Sequence, residues 1–221
     1  MRNKKLGLIL GAALIGLTLA TARADAALLN IDILLPDILS NSTGVYNYDA
    51  ATDLFSSTAT PLTITFTGLP GSHLSIIGPK SYSVGFYVNS SGNFVSGIAG
   101  DDLVISGNID VDGDSVIDYS GDLIRGEVTR FGWLDTGTQF DLFNYTFDFT
   151  GGALSSYYAP YSYKGGDSMS SEHSSFTGSF ATNFSGTKVK HDTAPIPEPS
   201  SLLLLGSGLL SAALLRVRRK K

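Results

Sequence analysis

The densest chemical signal in the chain is a run of aspartates, Asp110-Val111-Asp112-Gly113-Asp114-Ser115-Val116-Ile117-Asp118. Calcium takes six to eight oxygen ligands, and aspartates at alternate positions are how an EF-hand loop supplies its first three. Asp110, Asp112 and Asp114 have that spacing, and Asp118 falls where the ninth loop residue would be. Ser115 stands where the loop's glycine is needed and Gly121 where its bidentate glutamate is needed, so a complete EF-hand is excluded. A looser calcium loop of Asp110, Asp112, Asp114 and Asp118 stays open, with Asp122 as an added ligand. So does a plainer reading, in which Asp112-Gly113 turns a hairpin and the carboxylates are surface charge.

The second signal is aromatic. Tyr157, Tyr158, Tyr161 and Tyr163 crowd around Pro160, and rings with an apolar face and a polar tip suit saccharide contact. Trp133, the only tryptophan, would either add a face to that contact or belong to the core, and the tyrosines themselves would otherwise cap a sheet edge. Signatures of catalysis are missing: there is no G-x-S-x-G, no H-E-x-x-H and no Gly-rich phosphate loop. His73, His173 and His191 are scattered, with His191 in a stretch read as linker. Glu127 and Glu172 are the only glutamates in the body, and a glycosidase pair would need them adjacent in space. The expectation is a non-enzyme.

These residues must be positioned by strands. Tyr82, Val84, Phe86 and Val88 alternate with Ser83, Gly85, Tyr87 and Asn89; Leu62, Ile64 and Phe66 alternate with threonines; Leu103, Ile105, Ile109 and Val111 share one parity. Such alternation marks half-buried strands. Phe176, Phe180 and Phe184 read as one face of a late strand, and a slip of parity at Leu142-Phe143 predicts a bulge there. Leu69-Pro70-Gly71-Ser72, Ser91-Gly92-Asn93, Gly151-Gly152 and Gly165-Gly166 read as turns or breaks, and residues 155–175, rich in serine and tyrosine, as a long ordered loop. The expected body, residues 27–187, is one all-β domain, a single antiparallel β-sandwich of jelly-roll type. Residues 188–196 read as a linker.

Charge is segregated. Nine of the 15 basic residues lie in the first 23 or the last six positions, while Ala27–Pro195 holds the other six and all of the 20 acidic ones but Asp25 and Glu198, so the body carries about −12. An acidic body repels nucleic acid, which excludes that partner class. With no cysteine there is no disulfide framework and no thiolate chemistry. The basic head Arg2-Asn3-Lys4-Lys5, an apolar run from Leu6 to about Ala20 and the exits Ala22-Arg23-Ala24 and Ala24-Asp25-Ala26 form a secretory signal peptide over residues 1–26. At the other end Pro197-Glu198-Pro199 leads into Leu202–Leu215, a helical rise of about 21 Å that spans a bilayer only with help from its flanks. Arg216–Lys221 then holds the end on the cytoplasmic side.

A Pro-Glu-Pro motif, a short Leu/Gly/Ala-rich helix and a terminal basic cluster, in that order over residues 197–221, resemble the PEP-CTERM sorting signal of Gram-negative bacteria. The body is also similar to such proteins in its Ser, Thr and Gly content and its "GEVTRFGW" run. The resemblance implies an exosortase that recognises Pro197, Glu198 and Pro199, with export by the secretion machinery and transient anchoring in the inner membrane through Leu202–Leu215. It implies delivery to the outer surface or the extracellular polysaccharide matrix. There the expected role is structural or adhesive, the alternatives being a carbohydrate-binding module or a secreted polysaccharide hydrolase.

Overall fold

Alternating residues place the strands, and pairing at both edges of the last strand closes them into a ring. The computed structural model describes residues 27–67 and 73–197. The signal peptide, the turn at Leu69–Ser72, Glu198, Pro199 and the apolar segment Leu202–Leu215 lie outside these. The strands are β1 (Asp37–Ser40), β2 (Gly44–Asp49), β3 (Leu54–Ala59), β4 (Pro61–Thr65), β5 (His73–Ser75) and β6 (Ile77–Val88). They continue with β7 (Phe94–Gly97), β8 (Leu103–Ile109), β9 (Tyr119–Leu134), β10 (Asp141–Gly151), β11 (Lys164–Ser174) and β12 (Phe184–Pro195). All pairings are antiparallel. The order β2-β3-β6-β8-β9-β10-β11-β12 returns to β2, an eight-strand closed barrel. Strands β1, β4 and β5 extend from β12 as an arm, and β7 flanks β6. Among the described residues no helix is long and apolar enough to cross a membrane.

The body is therefore all-β as expected, but a barrel in place of the jelly-roll sandwich. The difference lies in residues 188–196, read as linker. They continue β12: Ser168↔Asp192, Asp167↔Thr193 and Gly165↔Pro195 pair with β11, while Phe184–Thr187 pair with β2. Lys188 sits at φ 52°, and the register on β2 shifts there. The inward set accordingly passes from Phe184 and Gly186 to Val189, His191 and Thr193. That bulge hides the alternation from a constant-parity reading, and without its closing strand an eight-strand barrel reads as an open sheet.

Residues 155–175 are likewise ordered as more than a loop. A short helix α1 (Ser155–Tyr158) and a 3-10 turn (Ala159–Tyr161) lead directly into β11. Gly165-Gly166 does not break the chain. A Cβ on Gly165 would lie 2.2 Å from the Phe147 ring, and one on Gly126 across the barrel wall 2.6 Å from it, so β9 and β11 both give up side chains to seat one phenylalanine. β10 starts at Asp141 with exposed Phe140 ahead of it, and no bulge falls at Leu142-Phe143. The register shift lies at Thr146/Phe147, where Thr129 is the extra residue of β9, and another at Phe149/Gly151.

Side chains fill the interior. Phe55 packs against Phe86 and Phe131 with ring centroids 5.2 Å apart in each pair, and Tyr46, Tyr82, Phe143, Tyr145 and Phe147 are all at most 2% exposed. Eight strands enclose a space that side chains can just fill. Phe176 and Phe180 lie in the β11–β12 loop instead of on a strand with Phe184, and with Trp133 they plug one end (Trp133–Phe176 5.2 Å, edge to face). Trp133 is thus core, 9% exposed, and unavailable to a saccharide.

Candidate functional site

The two chemical signals of the sequence meet at the barrel end opposite Trp133. The aspartate run is the β8–β9 connection; α1 and the 3-10 turn connect β10 to β11. Leu154 N–H donates to the carbonyl of Leu123 (3.1 Å), which seats the helix against β9. The hydroxyls of Tyr119 and Tyr157 then lie 3.3 Å apart, with Phe66 4.9 Å from the Tyr157 ring. Burial, then the Tyr119 contact and the charge of Asp118, push the Tyr157 phenol up to about 12. Tyr157 and Tyr161 are half-buried and Tyr163 is 48% exposed. Tyr158 is different: it is fully buried, stacked on Phe149 at 4.6 Å, and is a core residue instead of a saccharide contact.

In the aspartate loop, Asp110, Asp112 and Asp118 each offer an oxygen within 4.8 Å of the others. Asp114 is outside that group, and its carboxylate accepts from Val116 N–H (2.7 Å). Asp110 accepts from Gly113 and Ser115 N–H (2.7 and 2.9 Å), Asp112 from Asp114 N–H (3.2 Å) and Asp118 from Val111 N–H (2.7 Å). The aspartates thus fold the loop themselves, as Asx-turn residues do, across nine residues instead of a two-residue hairpin. Their carboxylates converge.

His191, read as a linker histidine, is inside the barrel. Its Nδ1 lies 2.9 Å from Asp167 Oδ2 and its Nε2 2.9 Å from Ser57 Oγ; Thr193 Oγ1 donates to Asp167 Oδ1 (2.5 Å), and Tyr82 donates to the same oxygen (3.1 Å) while touching the Tyr145 hydroxyl. The Tyr82 ring stacks on the imidazole at 4.0 Å. The bonding order Asp–His–Ser is that of a serine nucleophile. Yet Ser57, His191 and Asp167 are at most 2% exposed, and Ser57 also donates to the Val45 carbonyl (3.0 Å), so this network is closed to substrate and braces the wall. The spacing Val189-x-His191-x-Thr193 was the signal in the sequence that would have placed it. The glutamates do not form a pair: Glu127 lies beside Asp102, where burial and that neighbour raise it, whereas Glu172 bonds Lys190 (2.6 Å).

On the barrel's outer side, the carboxyl of Asp37 on β1 lies against that of Asp192 on β12. Each keeps one buried oxygen without a partner. Burial first, then the Asp37 contact and charge and the Asp167 charge, raise Asp192 from 3.8 to about 8. A carboxyl held above its unfolded value stabilises the fold fully below that value, and the contribution is lost as pH rises through the folded one. Between pH 5 and pH 9 the wild type should therefore lose more melting temperature than Asp192→Asn, whose side chain is neutral throughout; parallel pH curves would remove the pair as the cause. The aspartate loop has its own test. Three crowded carboxylates gain from a divalent cation, so millimolar calcium is expected to raise the melting temperature of the wild type and to leave Asp112→Asn/Asp118→Asn unmoved. Equal shifts in both would discard the loop as a cation site.

No curated protein and no solved structure matches the chain. Residues 195–220 match the family model of the PEP-CTERM protein-sorting motif, a span that begins on the last residue of β12 and takes in Pro197, Glu198 and Pro199. That motif addresses a chain to export and to exosortase-mediated targeting at the cell surface. The closed, aromatic-filled barrel thus carries a PEP-CTERM protein-sorting motif joined to its final strand.

Proposed function

We propose that the processed protein is a non-catalytic structural or adhesive component of the cell surface or of the extracellular polysaccharide matrix. The observation that carries this is the sorting motif set directly on a barrel whose interior is filled with side chains. A filled barrel has no room for a bound substrate and leaves only its outer surface for partners. That surface is acidic, in keeping with hydrated, cation-bridged contacts to a matrix. In this reading the secretion machinery delivers the chain across the inner membrane, Leu202–Leu215 holds it there briefly, and exosortase frees it. Intact mass of the native protein is the test. The surface and medium fractions are expected to yield a species lacking both the signal peptide and the residues after about Pro199. A species confined to membranes and retaining Leu202–Lys221 would overturn release, and the matrix role with it.

A second reading is favoured by one feature: half-buried Tyr157 and Tyr161 and exposed Tyr163 share a barrel end with Asp118. This juxtaposition of rings and carboxylate suits a saccharide, whose ring faces stack and whose hydroxyls donate. If the barrel is a carbohydrate-binding module, Tyr161→Ala/Tyr163→Ala should abolish its retention on matrix polysaccharide without altering its melting temperature. Unchanged retention would leave the structural role alone.

A further inference from the structure

Residues 188–196 provide no spacer between barrel and sorting motif, and this has a mechanical consequence. Pro195 pairs with Gly165, and its carbonyl accepts from Leu34 N–H (3.1 Å). Ile196 N–H donates to the Lys164 carbonyl (3.1 Å). Its side chain lies over Gly166, where an added Cβ would meet it at 2.9 Å, with Ile31 of the N-terminal segment alongside at 3.3 Å. The chain is therefore fixed up to the residue before Pro197. Beyond that point the sequence is Pro197-Glu198-Pro199. Pro197, one residue beyond Ile196, opens the motif with a fixed φ and no N–H to donate.

Six residue steps separate Ile196 from Leu202, the first residue of the apolar segment. At most about 20 Å then separates the barrel end from the hydrocarbon, and the polar layer of the bilayer takes up roughly 5–8 Å of it. An enzyme that reads Pro197–Pro199 from the membrane works in a gap of at most about 15 Å roofed by the barrel.

The roof is distinctive at the exit. Lys164, whose carbonyl holds Ile196, follows Ser162 (φ 53°) and Tyr163 (φ 58°), two successive non-glycine residues in the left-handed region. Such backbone is costly and persists where surrounding structure imposes it, often at functional sites. Here Tyr163 N–H donates to the Tyr158 carbonyl and its own carbonyl accepts from Phe149 N–H (2.7 Å), so the backbone is clamped while the ring stands 48% exposed.

We propose that the barrel end around this exit is part of what the processing enzyme recognises. The chain is held through Ile196, so the motif begins beside the surface of Tyr161, Tyr163 and Lys164 and the two are met together. The inference rests on the sorting reading above and names the second surface of that same substrate. Its test follows tail removal in the full chain by pulse-chase and intact mass in the native host. A flexible Gly/Ser spacer of about eight residues inserted between Ile196 and Pro197 leaves every barrel contact in place but uncouples motif from barrel. Tyr161→Ser/Tyr163→Asn removes the rings while keeping a residue that tolerates the left-handed backbone. Both variants are expected to slow tail removal by about tenfold, the loss of one aromatic anchor at an interface, with melting temperatures equal to wild type. Native or faster processing of the spacer variant overturns the proposal, because the motif would then be read on its own. A wild-type chain that keeps its tail, or a Glu198→Ala chain processed at the native rate, would instead sink the sorting reading on which it stands.

Discussion

The contact between His191 and Asp167 joins the last two strands inside the barrel, at the seam where the backbone ladder of β11 and β12 closes it. Ser57 donates to the Val45 carbonyl, while His191 Nε2 lies 2.9 Å from Ser57 Oγ and its Nδ1 2.9 Å from Asp167 Oδ2. The carboxylate also accepts from Thr193 and Tyr82. Buried charge is tolerable only when paired and fully hydrogen-bonded, and here β3, β6, β11 and β12 each supply a member of the set. Such a network stabilises one register more than it stabilises the fold in general. A slip of β12 by a single residue would turn His191 outward and strand Asp167 in an apolar interior, so the final strand has one place to close.

Around that polar strut the barrel is built from aromatic rings and missing side chains. Phe147 occupies the space vacated at Gly126 and Gly165; Tyr46 occupies that at Gly186, where a Cβ would lie 2.2 Å from its ring. This pairing of large with absent side chains across neighbouring strands lets a narrow barrel hold so many rings. It also explains the composition of β11, whose inward residues are Gly165, Asp167, Met169 and Ser171. The strand brings little apolar surface of its own because its neighbours' rings already cover it.

That economy is why part of the fold was legible in the sequence and part was not. β6 and β8 carry their own alternation, and Tyr82, Val84, Phe86, Leu103, Ile105 and Ile109 are buried as their parity requires. β11 and β12 do not. Gly165, Asp167, Ser171, Gly186, His191 and Thr193 interrupt the apolar residues on their inward faces, and Lys188 shifts the parity partway along, so both strands resemble loop until their partners are in place. Closure went unseen for the same reason, and a barrel was read as a sandwich. At the candidate site the aspartates were found by spacing alone, but Asp114 left the group and Tyr158 went to the core. Those outcomes depend on which way a short loop and a four-residue helix turn. The Tyr119–Tyr157 contact, 38 positions apart in the chain, had no local signal at all.

The address at the C-terminus was legible because it is read by other molecules as a linear sequence. The structure adds that address and fold are not separable parts. The match to the sorting motif begins at Pro195, a residue that the barrel also uses to pair β12 with β11. The last strand to be synthesised therefore both completes the barrel and positions the motif. Until β12 is in place, Ile196 has no Lys164 carbonyl to bond and no Gly166 to lie on. Ile196 reaches those partners only in a chain whose barrel has already closed. Coupling of this kind makes the geometry of the exit a report on folding, available to any enzyme that touches the barrel as it reads the motif.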